Sequence, residues 1–172
     1  MSLHSVQRGR RPAGFTLLEL MAALIVVGIL ATLALPSYRA YVLRANRAVV
    51  RTPLVDLAAK LEVEALRSGG YPDSFDFYLA DSDRGLRGER EFFITSSGAV
   101  VGDVEDADYA STIYGIRLRV PDVAAGEAIR DYTLTARAMH AQRDDAACQA
   151  FSVAASGLRS ASPGRSEECW SR

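Results

Sequence analysis

The sequence predicts an α+β fold in which one long N-terminal helix packs on a small antiparallel β-sheet. An apolar run covers positions 15–35, and an amphipathic pattern with helical spacing continues it to about position 67. The second half of the chain contains three short runs in which apolar and polar residues alternate. A helical first half followed by strands is typical of helix and sheet stacked as two layers around one core.

The apolar run, FTLLELMAALIVVGILATLAL, spans Phe15–Leu35 and is interrupted only by Thr16, Glu19 and Thr32. As a helix it would measure roughly 32 Å, which is enough to cross a hydrocarbon core of about 30 Å. The residues before it include three arginines and no acid. The positive-inside rule therefore keeps the N-terminus cytoplasmic and sends everything after Pro36 outward.

Charge is divided unevenly along the chain. Up to Arg51 there are seven arginines and one acid, a net of +6, and the remainder has 13 basic and 20 acidic residues, a net of −7. A basic front and an acidic remainder favour a membrane-oriented N-terminus, and we expect no nucleic-acid partner. One alternative stays open, a local basic patch made of Arg117, Arg119, Arg130 and Arg137.

A secretory signal peptide is the main rival interpretation of the apolar run, with a small-residue cleavage site at 31–34. The run is too long for the apolar core of such a signal, and it leads into a helical pattern. Glu19 is harder to explain, because a carboxylate inside a membrane span costs up to about 3 kcal/mol at the centre. It therefore needs a charge partner, unless it snorkels to the headgroups.

The segment 10–19, RRPAGFTLLE, resembles the class III signal of type IV prepilins. In that family a short basic leader ends in Gly and is followed by Phe-Thr-Leu-x-Glu-Leu and an apolar helix. The resemblance continues through GILA at 28–31, Pro36, Tyr38 and Tyr41. It implies the pilin fold, with a long, kinked N-terminal helix that is transmembrane in its first half.

The resemblance also implies how the N-terminus is used. Prepilin peptidase would cut between Gly14 and Phe15, and Phe15 would be N-methylated. Glu19 would pair with the free amino group of Phe15 on a neighbouring subunit and so drive assembly. The implied partners are major and minor pilins, the prepilin peptidase/N-methyltransferase and the inner-membrane pilus assembly machinery. The implied location is the inner membrane, single-pass with a periplasmic C-terminal domain, and then the pilus or fimbrium.

The helix is predicted to kink at Gly28 and Pro36 and to continue as an amphipathic segment over 36–67. Thr52-Pro53 reads as an N-cap and first helical residue, so a bend or restart is expected there. Ser68-Gly69-Gly70 ends the pattern. The domain division that follows is a leader at 1–14, a transmembrane and assembly helix at 15–35, its continuation at 36–67, a variable loop at 68–112, and a C-terminal sheet region at 113–172.

The C-terminal region is predicted to be an antiparallel meander of three strands, at 113–120, 132–138 and 149–155. Its residues YTLTA at 132–136, Gln142, Asp145, Cys148 and the pair Cys169-Trp170 resemble the C-terminal half of PilE-type minor pilins. Two cysteines permit one bridge, and an outward topology places them in an oxidising compartment. We therefore predict a Cys148–Cys169 disulfide.

No catalytic residue, metal or cofactor is expected. His140 is the one histidine after the leader, it falls in a polar turn, and no nucleophile-elbow, zinc-protease, Walker A or dinucleotide-binding motif is present. The acidic cluster Asp103, Glu105, Asp106 and Asp108 lacks EF-hand spacing and is predicted to be a solvated loop, with calcium as the alternative.

The resemblance implies a type IV pilus subunit, a minor pilin, in filaments that serve adhesion, twitching motility or DNA uptake. Two alternatives share the N-terminal machinery: a type II secretion pseudopilin and a DNA-binding competence pilin. A single-span anchor that never polymerises is a third, and Glu19 argues against it because an isolated anchor has no use for an acid in its span.

Overall fold

The computed structural model describes residues 14–75, 91–102 and 109–171. Helix α1 spans Leu17–Ser68, and a short helix, α2, spans Ser166–Trp170. Between them the described residues form six strands, whose bounds are β1 Glu91–Thr95, β2 Val100–Val101, β3 Thr112–Arg119, β4 Thr133–Ala138, β5 Cys148–Ala154 and β6 Arg159–Pro163. Short 3₁₀ helices at Tyr109–Ser111 and His140–Asp144 precede β3 and β5.

The sheet has the order β2-β1-β3-β4-β5-β6, and every neighbouring pair is antiparallel. The α+β prediction is therefore confirmed, and its three predicted strands correspond to β3, β4 and β5. The sheet also extends beyond them in both directions. β1 and β2 come from the stretch assigned to the variable loop, in which positions 91–101 read as strand-like, and β6 follows the third predicted strand.

The chain divides into two compact units, Met1–Arg39 and Ala40–Arg172. In the first unit the described residues form the apolar beginning of α1, whose large side chains are exposed. The second unit contains the rest of α1, the sheet and α2. The buried core therefore belongs to the second unit.

That core lies between α1 and one face of the sheet. The helix contributes five buried residues at steps of three and four, Val50, Leu54, Leu57, Ala58 and Leu61. The register aligns the inward side chains of successive strands in rows, of which one is Phe92, Ile116, Ala136 and Phe151. Each large apolar side chain removed from water in this way stabilises the fold by about 1.5–3 kcal/mol.

The helix is continuous through both prolines that were expected to disturb it. α1 runs unbroken past Pro36 and Pro53 to Ser68, where Gly69 adopts a positive φ of 82° and ends it. The expected restart at Thr52-Pro53 is therefore not seen. The kinks expected at Gly28 and Pro36 remain predictions. The leader arginines and the acidic residues at 103–108 lie outside the described residues.

Candidate functional site

The start of α1 is organised around Thr16 and Glu19. The backbone N–H of Glu19 donates a hydrogen bond to the Thr16 hydroxyl at 3.2 Å, which is the N-cap arrangement for a helix that begins at Leu17. The cap satisfies one of the four N–H groups that the first turn leaves without an intrahelical partner. Phe15, immediately before it, is 84% exposed, and Glu19 is exposed as well.

By length and composition, α1 is a helix that could cross a membrane, with a mean hydropathy of 2.5 in its most apolar window. That window contains no buried residue, so its apolar surface is available to lipid or to other helices. The position close to the N-terminus also fits a signal sequence. Gly28 has open space around its Cα, so the helix surface at that point is unobstructed.

In the second unit, a polar cluster joins α1 to the turn before β5. The Arg47 guanidinium makes two hydrogen bonds to the Asp145 carboxylate, at 2.6 and 2.7 Å, and Asp145 is buried. The hydrogen bond to Asp145 raises the pKa of Arg47, so the guanidinium stays charged. We call Arg47, Asp145, Gln142 and Asn46 the polar cluster.

Gln142 is the centre of the polar cluster. Its amide nitrogen donates to the Tyr114 hydroxyl at 3.0 Å and to the Leu43 carbonyl at 3.2 Å, and its carbonyl accepts from Asn46 at 2.9 Å. Burial raises the pKa of Tyr114, with the Asp145 charge as a second cause, so its hydroxyl stays protonated. The cluster attaches the first turns of α1 in this unit to the sheet.

The predicted disulfide is present. Cys148, the first residue of β5, is bonded to Cys169 in α2, with their Cα atoms 5.7 Å apart. Between them the chain makes β6 and the turn at Gly164, whose N–H donates to the Ala147 carbonyl at 2.9 Å. A Cβ at Gly164 would collide with that same carbonyl, so only glycine fits there.

The sheet face away from α1 carries three exposed arginines. Arg117 and Arg119 are two residues apart on β3, and Arg137 lies on β4 opposite Gly115. Thr135 lies opposite Arg117, and Thr133 opposite Arg119, so hydroxyls accompany the guanidinium groups. We call this surface, Arg117, Arg119, Arg137, Thr133 and Thr135, the basic face. Glu91 of β1 stands opposite Arg117 in the register.

The sequence left open a local patch of four arginines, and three of them lie on this face of the sheet. Arg130 precedes β4 and is not among the paired residues of the sheet. Although the whole domain is acidic, the strand register concentrates three of its arginines on one side. A count of total charge could not reveal this, because which residues share a face depends on the pairing.

The remaining candidates have structural roles or no site. His140 is half-buried with a positive φ of 45°, and its Nε2 lies 3.2 Å from the Thr112 hydroxyl. Among residues 14–75, 91–102 and 109–171, no group of three His, Cys, Asp or Glu side chains is arranged to hold a metal ion. A groove of about 200 Å³ beside Glu62 and Tyr132 is smaller than the usual small-molecule site of about 300–1,000 Å³.

Two family models match the chain. Residues 9–35 match the prokaryotic N-terminal methylation motif. Residues 36–152, about two thirds of the chain, match the family described as type IV minor pilin ComP, DNA uptake sequence receptor.

Among individual proteins, the chain is similar to type II secretion system core protein G of three bacteria. It is 34% identical to that of Pectobacterium carotovorum subsp. carotovorum over 68 residues, covering 40% of this chain and 44% of the relative. It is 36% identical to that of Klebsiella pneumoniae over 63 residues, covering 37% and 45%. It is 33% identical to that of Dickeya chrysanthemi over 63 residues, covering 37% and 41%. The match thus spans less than half of each relative.

Proposed function

The chain belongs to the type IV minor pilin family, and from that membership we propose that it is a pilus subunit whose exported domain is a receptor for DNA. The observation that carries the proposal is the match of residues 36–152 to a family described as a DNA uptake sequence receptor. The match to the methylation motif over residues 9–35 accounts for the N-terminal half of the resemblance seen in the sequence.

We place the processing site between Gly14 and Phe15, with N-methylation of Phe15. The helix begins two residues later, at Leu17, and its N-cap is Thr16, so a chain cut at Gly14 would retain the capped first turn. The freed amino group would be the partner of Glu19 on a neighbouring subunit. The second unit would then lie in the periplasm before assembly, and its partners would be other pilins and the assembly machinery.

We assign DNA contact to the basic face. Guanidinium groups bind phosphate oxygens in bidentate geometry, and backbone contacts supply most of the affinity of a DNA-binding protein. Threonine hydroxyls next to the arginines are further donors to phosphate. The sequence alone predicts no nucleic-acid partner, because the net charge of the whole domain is negative. The family match and the arginines gathered on one face outweigh that consideration.

The test is duplex DNA binding by the full chain in detergent micelles, measured against salt. The variant Arg117→Gln/Arg119→Gln/Arg137→Gln should bind at least tenfold more weakly than the parent at about 0.1 M salt. The slope of log K against log[salt] should fall by about 0.9 for each phosphate that the variant no longer neutralises. The matched control is Arg67→Gln/Arg143→Gln/Arg165→Gln, which removes the same charge from exposed positions outside the paired strands of the basic face.

Equal losses of affinity in the two triple variants would mean that net charge alone governs binding and would contradict the assignment to the basic face. No binding by the parent to duplexes selected from genomic or random DNA would contradict the DNA receptor itself. Selection from random duplexes also tests the sequence preference that the family description implies, because a preferred sequence should be enriched over successive rounds.

The similarity to type II secretion core protein G supports a second candidate, a pseudopilin of a secretion system. That similarity spans less than half of each relative, whereas the minor pilin model covers the exported domain up to β5. Deletion of the chain in its host separates the two. If the chain is a minor pilin, its deletion should reduce pilus-dependent DNA uptake and leave protein secretion intact. If it is a pseudopilin, its deletion should reduce protein secretion and leave DNA uptake intact.

A further inference from the structure

The row of side chains that contains Arg117 continues past the basic face and across the rest of the sheet. In the register, Arg117 on β3 lies opposite Thr135 on β4, and Thr135 lies opposite Ser152 on β5. Ser152 in turn lies opposite Ser160 on β6. Side chains that lie opposite one another on neighbouring strands share a face of the sheet. We call these four residues, Arg117, Thr135, Ser152 and Ser160, the polar row.

A neighbouring row on the same face has a similar order. Arg137 on β4 lies opposite Ala150 on β5, and Ala150 lies opposite Ser162 on β6. Each of the two rows therefore has a guanidinium group on β3 or β4 and an exposed serine on β6. The basic face is thus one end of a longer polar surface that extends to the last strand of the sheet.

Neither of the two described helices covers the polar row. Phe151, which precedes Ser152 on β5, is buried on the other face, where the Trp170 ring of α2 packs edge-on against it with centroids 5.6 Å apart. The Arg51 guanidinium of α1 donates to the Trp170 carbonyl at 2.7 Å, so both helices lie on that side. In the row itself, the Thr135 and Ser152 hydroxyls are 3.4 Å apart. Only one of them can donate in this contact, so the other hydroxyl hydrogen is available to a ligand.

The chemistry of the polar row fits an extended polyanion. Three inter-strand spacings separate β3 from β6, or about 14 Å in total. A strand of duplex DNA advances by about 3.4 Å per nucleotide, so the row is as long as about four nucleotides. A guanidinium group supplies charge at one end, and hydroxyls can donate to phosphate oxygens along the rest. On the other side of Arg117, the β1 position of the row is an acidic residue, Glu91, which favours the direction toward β6 for an anion.

We propose that the phosphate backbone of bound DNA lies along the polar row and crosses the strands from Arg117 on β3 to Ser160 on β6. Ser152 and Ser160 are then DNA-contacting residues in addition to those of the basic face. This inference rests on the proposed receptor function and adds the direction of the DNA on the sheet. In the alternative direction, parallel to β3 through Arg117 and Arg119, the backbone would stay about 14 Å from Ser160.

The first test adds one positive charge at the far end of the polar row. Ser160→Lys is compared with Ala59→Lys, which adds the same charge at an exposed position of α1, on the other side of the sheet. Binding of duplex DNA by the full chain in detergent micelles is measured against salt. Ser160→Lys should bind about threefold or more tightly than the parent at about 0.1 M salt, and its slope of log K against log[salt] should be steeper by about 0.9, because one more phosphate is neutralised. Ala59→Lys should match the parent in both.

The second test removes hydroxyls and leaves the charge unchanged. Ser152→Ala/Ser160→Ala, checked for native circular dichroism, should bind DNA about threefold to tenfold more weakly than the parent, because each serine loses a hydrogen bond to phosphate. The matched control is Ser156→Ala/Ser171→Ala, which removes two exposed hydroxyls outside the polar row. It should bind as the parent does.

The outcomes separate this path from the receptor function itself. If the parent binds DNA through the basic face but Ser160→Lys and Ala59→Lys have equal effects, the path across the strands is overturned and the receptor function stands. Equal affinities of the two double alanine variants would likewise show that Ser152 and Ser160 do not contact DNA. A parent that binds no duplex DNA would contradict the receptor function and this inference together.

Discussion

At the scale of single residues, the polar cluster links α1 to the sheet through Arg47 and Asp145, which are 98 positions apart in the chain. Asp145 is 3% exposed and is bound by both arms of Arg47, and the backbone N–H groups of Ala147 and Cys148 also point to its carboxylate at 3.3 Å. The sequence identifies Asp145 and Gln142 only as parts of a C-terminal motif. For Arg47, the helical periodicity indicates only that the residue lies outside the apolar stripe, because periodicity cannot reveal a partner on another element.

The change Asp145→Ala should lower the free energy of unfolding by about 3 kcal/mol, because it leaves the Arg47 guanidinium partly buried without its counter-charge. The matched control is Asp56→Ala, which removes an exposed i,i+4 pair with Lys60 and should cost about 0.5 kcal/mol. Urea unfolding at neutral pH measures both. Equal effects of the two changes would mean that the polar cluster does not fix the helix to the sheet.

At the scale of elements, the strands with clear alternation were predictable and those without it were not. β3, β4 and β5 alternate over six to eight residues, and the structure has them close to the predicted bounds. β2 has two residues, and β6 reads RSASP, with small and polar residues only after its arginine. Such segments become strands because a neighbouring strand pairs with them, which is information that a local pattern does not contain.

The turn at Gly164 gives an element-scale prediction. Gly164→Ala should destabilise the domain by about 1–3 kcal/mol, because the added methyl collides with the Ala147 carbonyl and forces β6 and β5 apart. Ala146→Ser, an exposed neighbour in the same region, is the control and should be nearly neutral. Thermal unfolding of both variants under oxidising conditions makes the comparison. An unchanged midpoint for Gly164→Ala would contradict this packing.

At the scale of the whole molecule, two buried tyrosines should make the second unit less stable at alkaline pH. Burial raises the pKa of Tyr114 and of Tyr132, in the latter case with Glu62 adding to the effect. The folded state therefore favours the protonated phenol. The stabilisation that each buried phenol gives is complete below about pH 10, the pKa of tyrosine in the unfolded chain, and is lost as the pH rises above it.

The domain should accordingly lose up to about 1.4 kcal/mol per pH unit for each of these tyrosines above about pH 10. Tyr132→Phe removes one titrating group, together with the hydrogen bond from Tyr132 to Glu62 at 3.2 Å, and should reduce that slope by about half. Urea unfolding of the parent and the variant at a series of pH values from about 8 to about 11 measures both slopes. The same slope in Tyr132→Phe would show that other groups cause the alkaline loss.

The family of the chain followed from its first 35 residues more directly than the proposed receptor role did. The apolar run with Glu19 inside it is a local pattern that resembles pilins, and the chain matches both the methylation motif and the minor pilin model. The sequence left the basic patch open as an alternative, and only the pairing of β3 and β4 in register shows that three of its four arginines share one face.

Incorporation of a Glu19 variant into pili tests the central claim, that this chain is a filament subunit assembled through its N-terminal helix, most directly. Abundance in sheared pili is measured relative to abundance in membranes for the parent, Glu19→Leu and the control Glu167→Leu, an exposed acid of α2. We expect Glu19→Leu to be cleaved and inserted normally but depleted at least tenfold from pili, with Glu167→Leu unaffected, because a buried amino group without its counter-charge costs several kcal/mol. Normal incorporation of Glu19→Leu would contradict the account.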